Sequence, residues 1–350
     1  MLKIIKGFGF VFPFFIFLSC HNPVEPSNVT PPGRRDYTWT VDTLTKLYPY
    51  NSYYTLWGTS ATNLWCIGAG GDFNKMILHY DGSTWKNFSY PGQGIEPWSI
   101  FGFSADEFWV GGGFGDIYRY SNGQFNQFGS NLRLEGYPET TFMKFWGNNP
   151  NDIFAVGSAF KGINGPLYDI ILHYDGKNWN YVIKPEMEGQ FLDIKRGTND
   201  SPYYYLINLY GDNDSTSIYE FDGKSLKKIY NEFATDDNIV GMFSVNNDIF
   251  FGFNKKILKY NYLTSQFITL KDFNGTNIRT MSHFRGRSEK DIFINMKDGI
   301  GHYNGSDLQT VFKLDSNVLF DDAVLFEKDV FFICPDPARR NFIIVHGQLK

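Results

Sequence analysis

The sequence has few cysteines, no concentration of positive charge and no recognisable catalytic motif. Only 3 of its 350 residues are cysteine, and 32 Lys and Arg face 37 Asp and Glu, for a formal net charge of −5. The Lys and Arg residues form no basic run, so we expect no nucleic-acid partner. The sequence contains neither G-x-S-x-G nor H-E-x-x-H, and no phosphate-binding glycine loop, so no catalytic residue is assigned from a motif.

Long amphipathic helices are also missing from the pattern of apolar residues. Aromatic residues are abundant instead, since 35 Phe, 22 Tyr and 8 Trp occur beside 35 Gly. Aromatic side chains fit a pleated sheet, and Gly supplies the positive φ of tight turns. The composition therefore predicts an all-β chain of many short strands.

A nine-residue phrase recurs along the chain. ILHYDGSTW at 77–85 returns as ILHYDGKNW at 171–179, and weaker copies occur at 117–125, 218–226 and 300–308. Upstream of the copies at 77, 117 and 171 lie an aromatic-Gly step, a short polar turn and an apolar run that ends in Gly, and the later repeats have degenerate versions of this pattern. The phrase thus belongs to a longer repeat in which it forms the third strand and the start of the fourth.

Seven repeats are counted from one position in the phrase. Equivalent places are spaced 39 to 54 residues apart and are occupied by Tyr80, Tyr120, Tyr174, Phe221, Tyr260, Tyr303 and Val345. Four short strands in a repeat of about 40 to 50 residues are typical of propeller blades. We predict an all-β fold, a seven-bladed β-propeller of four-stranded blades over residues 37–350.

The two ends of the repeat array complement one another. The seventh repeat stops where its fourth strand should begin, while residues 37–47 form an unassigned strand. Trp39 in that strand resembles the Trp85 and Trp179 that open fourth strands. We predict that residues 37–45 complete the seventh blade beside residues 342–346, which would close the ring and hide an open edge.

Residues 1–19 have a cationic start and an apolar run from Phe8 to Leu18, too short for a spanning helix. They end in Phe-Leu-Ser before Cys20 and resemble a bacterial lipoprotein signal, although the motif usually has Leu in place of Phe17. The resemblance implies cleavage before Cys20 and a diacylglycerol on its thiol. The alternative is an ordinary secretory signal with a chance cysteine.

Residues 20–36 combine the lipidated cysteine with a proline-rich segment that has almost no apolar side chains. Such a composition predicts an extended tether. We expect the protein in the bacterial cell envelope, where its lipid would anchor it in the outer membrane.

Residues 37–350 resemble the kelch and sialidase-repeat propellers of exported bacterial proteins. The double glycine Gly111-Gly112, followed by Tyr120 and Phe125, is similar to the kelch pattern, but only the second repeat has it. The sialidase Asp-box is not met, because Leu78 and Tyr80 stand where Ser and Asp are required. The resemblance therefore implies a fold and no activity.

Polar residues of the repeat have structural interpretations. The histidines His79, His173 and His302 share one repeat position, which indicates packing and would spread them too far apart for one zinc ion. Asp-Gly pairs at 81–82, 175–176 and 222–223 fit hairpin turns. The oxygen-rich run at 211–217 is a solvated hairpin loop or, alternatively, a calcium site. We expect no cofactor, no metal site, and buried free thiols at Cys66 and Cys334.

Loop lengths give the candidate site. Turns between strands one and two, and three and four, are short and alike, whereas the other connections vary and would share one face around the central channel. The insertion at 158–169 presents three candidate ligand-binding residues on that face, and four weaker candidates join them: Phe160, Lys161 and Tyr168; then Phe73, Trp98, Arg339 and Arg340.

These features predict a monomeric, non-enzymatic binding module that engages a glycan or a protein and is held on the membrane through Cys20. One alternative is a glycan-active hydrolase or lyase with its site at the channel mouth, because propeller active sites can assemble from distant loops. Another is a structural subunit of an envelope complex.

Overall fold

The computed structural model describes residues 33–44, 52–70, 75–88, 96–128, 132–162, 165–197, 201–211, 215–233, 240–245, 248–279, 283–315, 318–336 and 341–350. All of them belong to one unit, Pro32–Lys350. Within them no helix is both long and apolar enough to cross a membrane. Three predicted site residues and the lipidation residue lie outside these described ranges: Phe73, Arg339, Arg340 and Cys20.

The first half of the described chain forms the strands of blades one to four, preceded by one separate strand. That strand is β1 (Tyr37–Thr43). The blades follow in order as β2 (Ser52–Ser60), β3 (Asn63–Ala69), β4 (Ile77–Tyr80), β5 (Trp85–Asn87); β6 (Pro97–Ser104), β7 (Glu107–Gly112), β8 (Ile117–Ser121), β9 (Gln124–Phe128); β10 (Glu139–Asn149), β11 (Asp152–Phe160), β12 (Leu167–Tyr174), β13 (Trp179–Ile183); β14 (Gln190–Arg196), β15 (Tyr204–Gly211), β16 (Ser215–Phe221) and β17 (Leu226–Phe233).

The second half forms blades five and six and three strands of blade seven. These are β18 (Gly241–Val245), β19 (Asp248–Phe253), β20 (Lys256–Asn261), β21 (Gln266–Asp272); β22 (Phe284–Ser288), β23 (Asp291–Met296), β24 (Gly299–Tyr303), β25 (Leu308–Lys313); β26 (Asp322–Leu325), β27 (Asp329–Asp336) and β28 (Asn341–Leu349). Each blade is a four-stranded antiparallel sheet, so the prediction of seven four-stranded blades is confirmed.

The recurring phrase is the third strand and hairpin of each blade, as predicted. In blade one Tyr80 of β4 pairs with Trp85 of β5. The Asp81 carboxylate accepts hydrogen bonds from the backbone N–H groups of Ser83 at 3.0 Å and Thr84 at 2.9 Å. Gly82 has φ +90, a conformation that favours glycine. The aspartate and glycine therefore form a turn.

The N-terminal strand closes the ring. β1 pairs antiparallel with β28, from Tyr37 opposite Leu349 to Thr43 opposite Ile343, so the predicted closure is confirmed over residues 37–43. Trp39 lies opposite Gly347, and its ring packs against Phe312 and Phe332 at centroid distances of 5.2 and 6.4 Å. The missing side chain of Gly347 makes room for this ring.

The register of blade seven corrects one sequence assignment. Gly347 pairs with Trp39 in the way that Tyr80 pairs with Trp85, so Gly347, and not Val345, occupies the repeat position of Tyr80. His346 then takes the place of His79.

Four histidines occupy this repeat position, and all have structural partners. His79 contacts Asn63 at 2.6 Å, and the others contact an aspartate at the start of the second strand: His173 with Asp152 (2.7 Å), His302 with Asp291 (2.8 Å) and His346 with Asp329 (2.8 Å). Each imidazole also packs on an aromatic ring of the second strand. The predicted packing role therefore extends to a fourth histidine.

The hydrophobic core is divided among seven clusters of buried side chains. Most of the buried residues come from the second and third strands of each blade. Cys66 and Cys334 are free and buried in this core, and burial raises the pKa of both thiols. The expectation of two buried thiols is confirmed.

Residues 33–36 contact the turns of blade six. The Gly33 N–H donates to Lys290 O at 3.0 Å, in the turn between β22 and β23. The Arg35 guanidinium donates to His302 O at 2.7 Å and to Asp307 Oδ1 at 2.9 Å. The chain thus enters the propeller on the face of the short turns.

Candidate binding site in the central channel

The inner strands of the first four blades each carry a β-bulge near their start. The pairing with the second strand skips one residue in each, namely Tyr54, Trp98, Met143 and Leu192. A bulge bends the strand and re-aims the side chain of the extra residue. All four bulged residues line one cavity of about 350 Å³, together with Val240 and Asp321 from two of the other blades.

This cavity is the central channel, because every blade contributes to its wall. Apart from Ile207 of β15, its lining comes from the first half of the inner strands and from the residues just before them. In an antiparallel blade those strand starts lie at the end of the variable connections and opposite the short turns. The cavity therefore opens towards the variable-loop face.

One side of the channel mouth is aromatic. The rings of Tyr54 and Trp98 stack with centroids 4.8 Å apart and planes 18° apart, which joins blades one and two. Thr55 Oγ1 donates a hydrogen bond to Trp98 O at 2.9 Å. Burial raises the pKa of Tyr54 to about 12, so its hydroxyl stays protonated. Met143 and Leu192 continue this apolar rim.

A buried ion pair crosses from blade six to blade seven. Arg285 donates from Nη2 and Nε to Asp322 Oδ1 at 2.6 and 3.1 Å. The other oxygen of Asp322 accepts from the Leu56 N–H at 3.2 Å. Burial alone would raise the pKa of Asp322, but the charges of Arg285 and Lys144 hold it below its ordinary value.

Blades three and four add two lysines and another carboxylate. Lys195 Nζ lies 3.8 Å from Asp193 Oδ1. Burial lowers the pKa of Lys195, and the positive charges of Lys144 and Arg285 act in the same direction, against the attraction of Asp193. Lys144 itself forms no hydrogen bond or ion pair with the described residues.

Two further titratable groups line the channel. Burial, with the adjacent charge of Asp322, raises the pKa of Asp321 to about 7. Burial, with the charge of Arg285, lowers the pKa of His283 to about 4, so this imidazole is neutral at pH 7. Among the described residues, no three His, Cys, Asp or Glu side chains are placed to share a metal ion.

The sequence-predicted site residues are only partly brought together. Trp98 lies in the channel wall. Phe160 ends β11, opposite Leu167, and does not line this cavity. Tyr168 packs edge-on against Tyr137 at 5.8 Å, and Lys161 Nζ lies 6.0 Å from the Tyr168 ring, so both belong to a cluster outside the channel.

The charged channel residues were not predicted from the sequence. Aligning the inner strands by their pairing with the second strands places seven residues in one column: Thr55, Ser99, Lys144, Asp193, Gly241, His283 and Asp322. This column is polar or glycine throughout, although an apolar residue follows it in each repeat. A polar column inside apolar strands is the signal that would have indicated the channel lining.

No protein-family model and no curated protein matches the chain. Solved structures share its fold. The structure described as YCF48 bound to D1 peptide has a TM-score of 0.60 and 15% identity, over 92% of this chain and 100% of that one. The structure of BBS1N in complex with ARL6DN has a TM-score of 0.58 and 14% identity, over 91% of this chain and 98% of that one.

The extracellular domain of the putative one component system BT4673 from B. thetaiotaomicron is also similar. Its TM-score is 0.55 at 12% identity, over 89% of this chain and 42% of that one. At these identities the comparisons establish the propeller fold alone. The kelch, sialidase-repeat and lipoprotein resemblances stay predictions.

Proposed function

We propose that the chain is a non-enzymatic binding module whose ligand is a peptide segment of another protein, bound at the mouth of the central channel. The observation that carries this proposal is the cavity of about 350 Å³ to which all seven blades contribute. Its apolar rim and charged floor have the composition of a ligand pocket, and its volume lies within the usual range of about 300 to 1,000 Å³.

The mouth favours a peptide over a glycan. Met143, Leu192 and Val240 give it an aliphatic rim suited to apolar side chains. Sugar rings stack on exposed aromatic faces, but one face of Trp98 is covered by Tyr54. The similar protein YCF48 was solved with a D1 peptide, which makes peptide binding compatible with this fold.

A hydrolase at the same mouth is less well supported. Glycoside hydrolysis requires two carboxyl groups that are free to act on either side of the scissile bond. Both oxygens of Asp322 are occupied by hydrogen bonds from Arg285 and Leu56, and Asp193 lies beside Lys195. This leaves Asp321 without a partner carboxylate for catalysis among the described channel residues.

Peptide binding is tested with one channel variant and one matched control. We expect the protein to bind a subset of an immobilised random octapeptide library, and Leu192→Asp to weaken binding at least tenfold by placing a charge in the rim. Leu263→Asp makes the same change on an exposed hairpin of blade five, 78% exposed, and should bind normally. Retention on a glycan array alone, or equal binding by Leu192→Asp, would contradict the proposal.

The proposal includes a lipid anchor at Cys20 in the bacterial outer membrane. Gly33 enters the propeller on the face of the short turns, opposite the channel mouth. The tether would therefore join the propeller on the face opposite the channel mouth.

Changing the anchor residue tests this part of the proposal. In the native host we expect Cys20→Ser to move the protein from the membrane fraction to the soluble fraction, because the thioether to diacylglycerol cannot form. Cys66→Ala removes a buried thiol and should leave the protein with the membrane. Persistent membrane association of Cys20→Ser, measured by fractionation and immunoblotting, would disprove lipidation.

A further inference from the structure

The floor of the channel carries more positive than negative charge at neutral pH. Lys144 and Arg285 line it and Lys195 lies beside Asp193, so three cations from blades three, four and six meet two carboxylates, Asp193 and Asp322. Asp321, whose pKa is about 7, adds at most a partial charge. When Asp321 is protonated, the floor is therefore short of one negative charge.

Lys144 is the cation that has no direct ion-pair partner among the described residues. Arg285 is satisfied by Asp322, and Lys195 lies near Asp193, but Lys144 makes no hydrogen bond or ion pair with any described residue. It lines the cavity and is near enough to Asp322, Lys195 and His283 to shift the pKa of each. An ammonium group in a protein wall gains most from a partner that arrives in the channel.

Blade five leaves space at the same level. Its residue in the inner-strand column is Gly241, which has φ +153 and no side chain to fill the channel. A Cβ built on Gly241 would lie 3.4 Å from the Phe284 ring and 3.5 Å from Arg285 Nη1. The glycine therefore keeps open a volume that is bordered by the guanidinium and lies in the same cavity as Lys144.

We propose that the channel floor binds a carboxylate of the peptide ligand, with Lys144 as its direct ion-pair partner. This inference rests on the proposed peptide-binding function and specifies its chemistry. A single negative charge balances the floor, whereas a dianionic phosphate would bring excess charge towards Asp193 and Asp322. The carboxylate comes from the peptide C-terminus or from an Asp or Glu side chain.

The test uses octapeptides fixed by their N-termini, each made as a free acid and as a C-terminal amide. Half of the sequences contain no Asp or Glu. For a C-terminal carboxylate we expect free acids to bind at least tenfold more tightly than amides. If the carboxylate is a side chain, we expect only peptides with Asp or Glu to bind, and their affinity should be the same for the free acid and the amide. Either result supports the proposal and identifies the source.

Lys144 variants separate this inference from the proposed function. Lys144→Gln should lose at least tenfold in affinity for the bound peptides and Lys144→Arg should retain most of it, while Lys224→Gln on an exposed turn changes nothing. Thermal unfolding checks that each variant folds. If the peptide affinity changed neither with the presence of a carboxylate nor in Lys144→Gln, this inference alone would be overturned. Binding of no peptide at all would overturn the proposed function with it.

Discussion

We expect removal of residues 1–43 to prevent stable folding at 37 °C, and removal of residues 1–32 to leave the propeller folded. The longer deletion takes away β1, the outer strand of blade seven, and exposes the backbone edge of β28. It also removes Tyr37, which is buried and accepts a hydrogen bond from Arg287 of blade six. A domain stabilised by about 5–15 kcal/mol does not tolerate the loss of a strand that joins two ends of a ring.

The comparison is made by circular dichroism during heating, with a milder variant beside the two deletions. Trp39→Ala keeps the strand but loses the ring that packs on Phe312 and Phe332, at a cost of about 3 kcal/mol. Its Tm should therefore fall between those of the 1–32 deletion and the 1–43 deletion. A 1–43 deletion that melts within a few degrees of the 1–32 deletion would show that β1 does not close the ring.

The fold was predictable because the information for a blade is local and repeated. The phrase around Tyr80 contains a strand, an Asp-Gly turn and the tryptophan that pairs across it, so each copy reports the same hairpin. The prediction failed by two residues in blade seven, where Gly347 replaces the aromatic and the pairing tryptophan lies near the other end of the chain. That pairing depends on closure of the ring, which no local pattern encodes.

The site was only partly predictable, since its chemistry is spread over all seven repeats. Loop length indicated the variable-loop face, and one of its candidate residues, Trp98, lies in the channel wall. Lys144, Asp193 and Arg285 each look like an ordinary surface residue within its own repeat, and they meet only when the blades close into a ring. The insertion that contains Tyr168 was a candidate because of its length. In the structure the Tyr168 ring packs against Tyr137, which precedes β10 of the same blade.

The ion pair between Arg285 and Asp322 gives the second large effect. Arg285→Met should destabilise the protein by about 3–5 kcal/mol, because it leaves the buried carboxylate of Asp322 without its counterion. The double variant Arg285→Met with Asp322→Asn should recover most of this loss. The asparagine in this double variant carries no charge, and its amide oxygen can still accept the hydrogen bond from the Leu56 N–H. Urea unfolding at pH 7 measures all three stabilities.

The pH dependence of the Arg285→Met defect separates a lost charge pair from lost packing. In the wild type the pKa of Asp322 is held below 3.8, so this pair contributes stability above that pH and loses it as the pH falls through the lowered value. Without Arg285, only the charge of Lys144 still opposes burial, so the pKa of Asp322 rises and the variant loses the stability that the wild type gains as the pH rises from about 4. The difference between wild type and Arg285→Met should therefore be several-fold larger at pH 8 than at pH 4. Arg34→Met, which breaks the exposed pair with Asp36, should change the stability little at either pH, because water screens that pair. A defect of Arg285→Met that is equal at both pH values would assign the effect to packing and leave the channel charges without a role in stability.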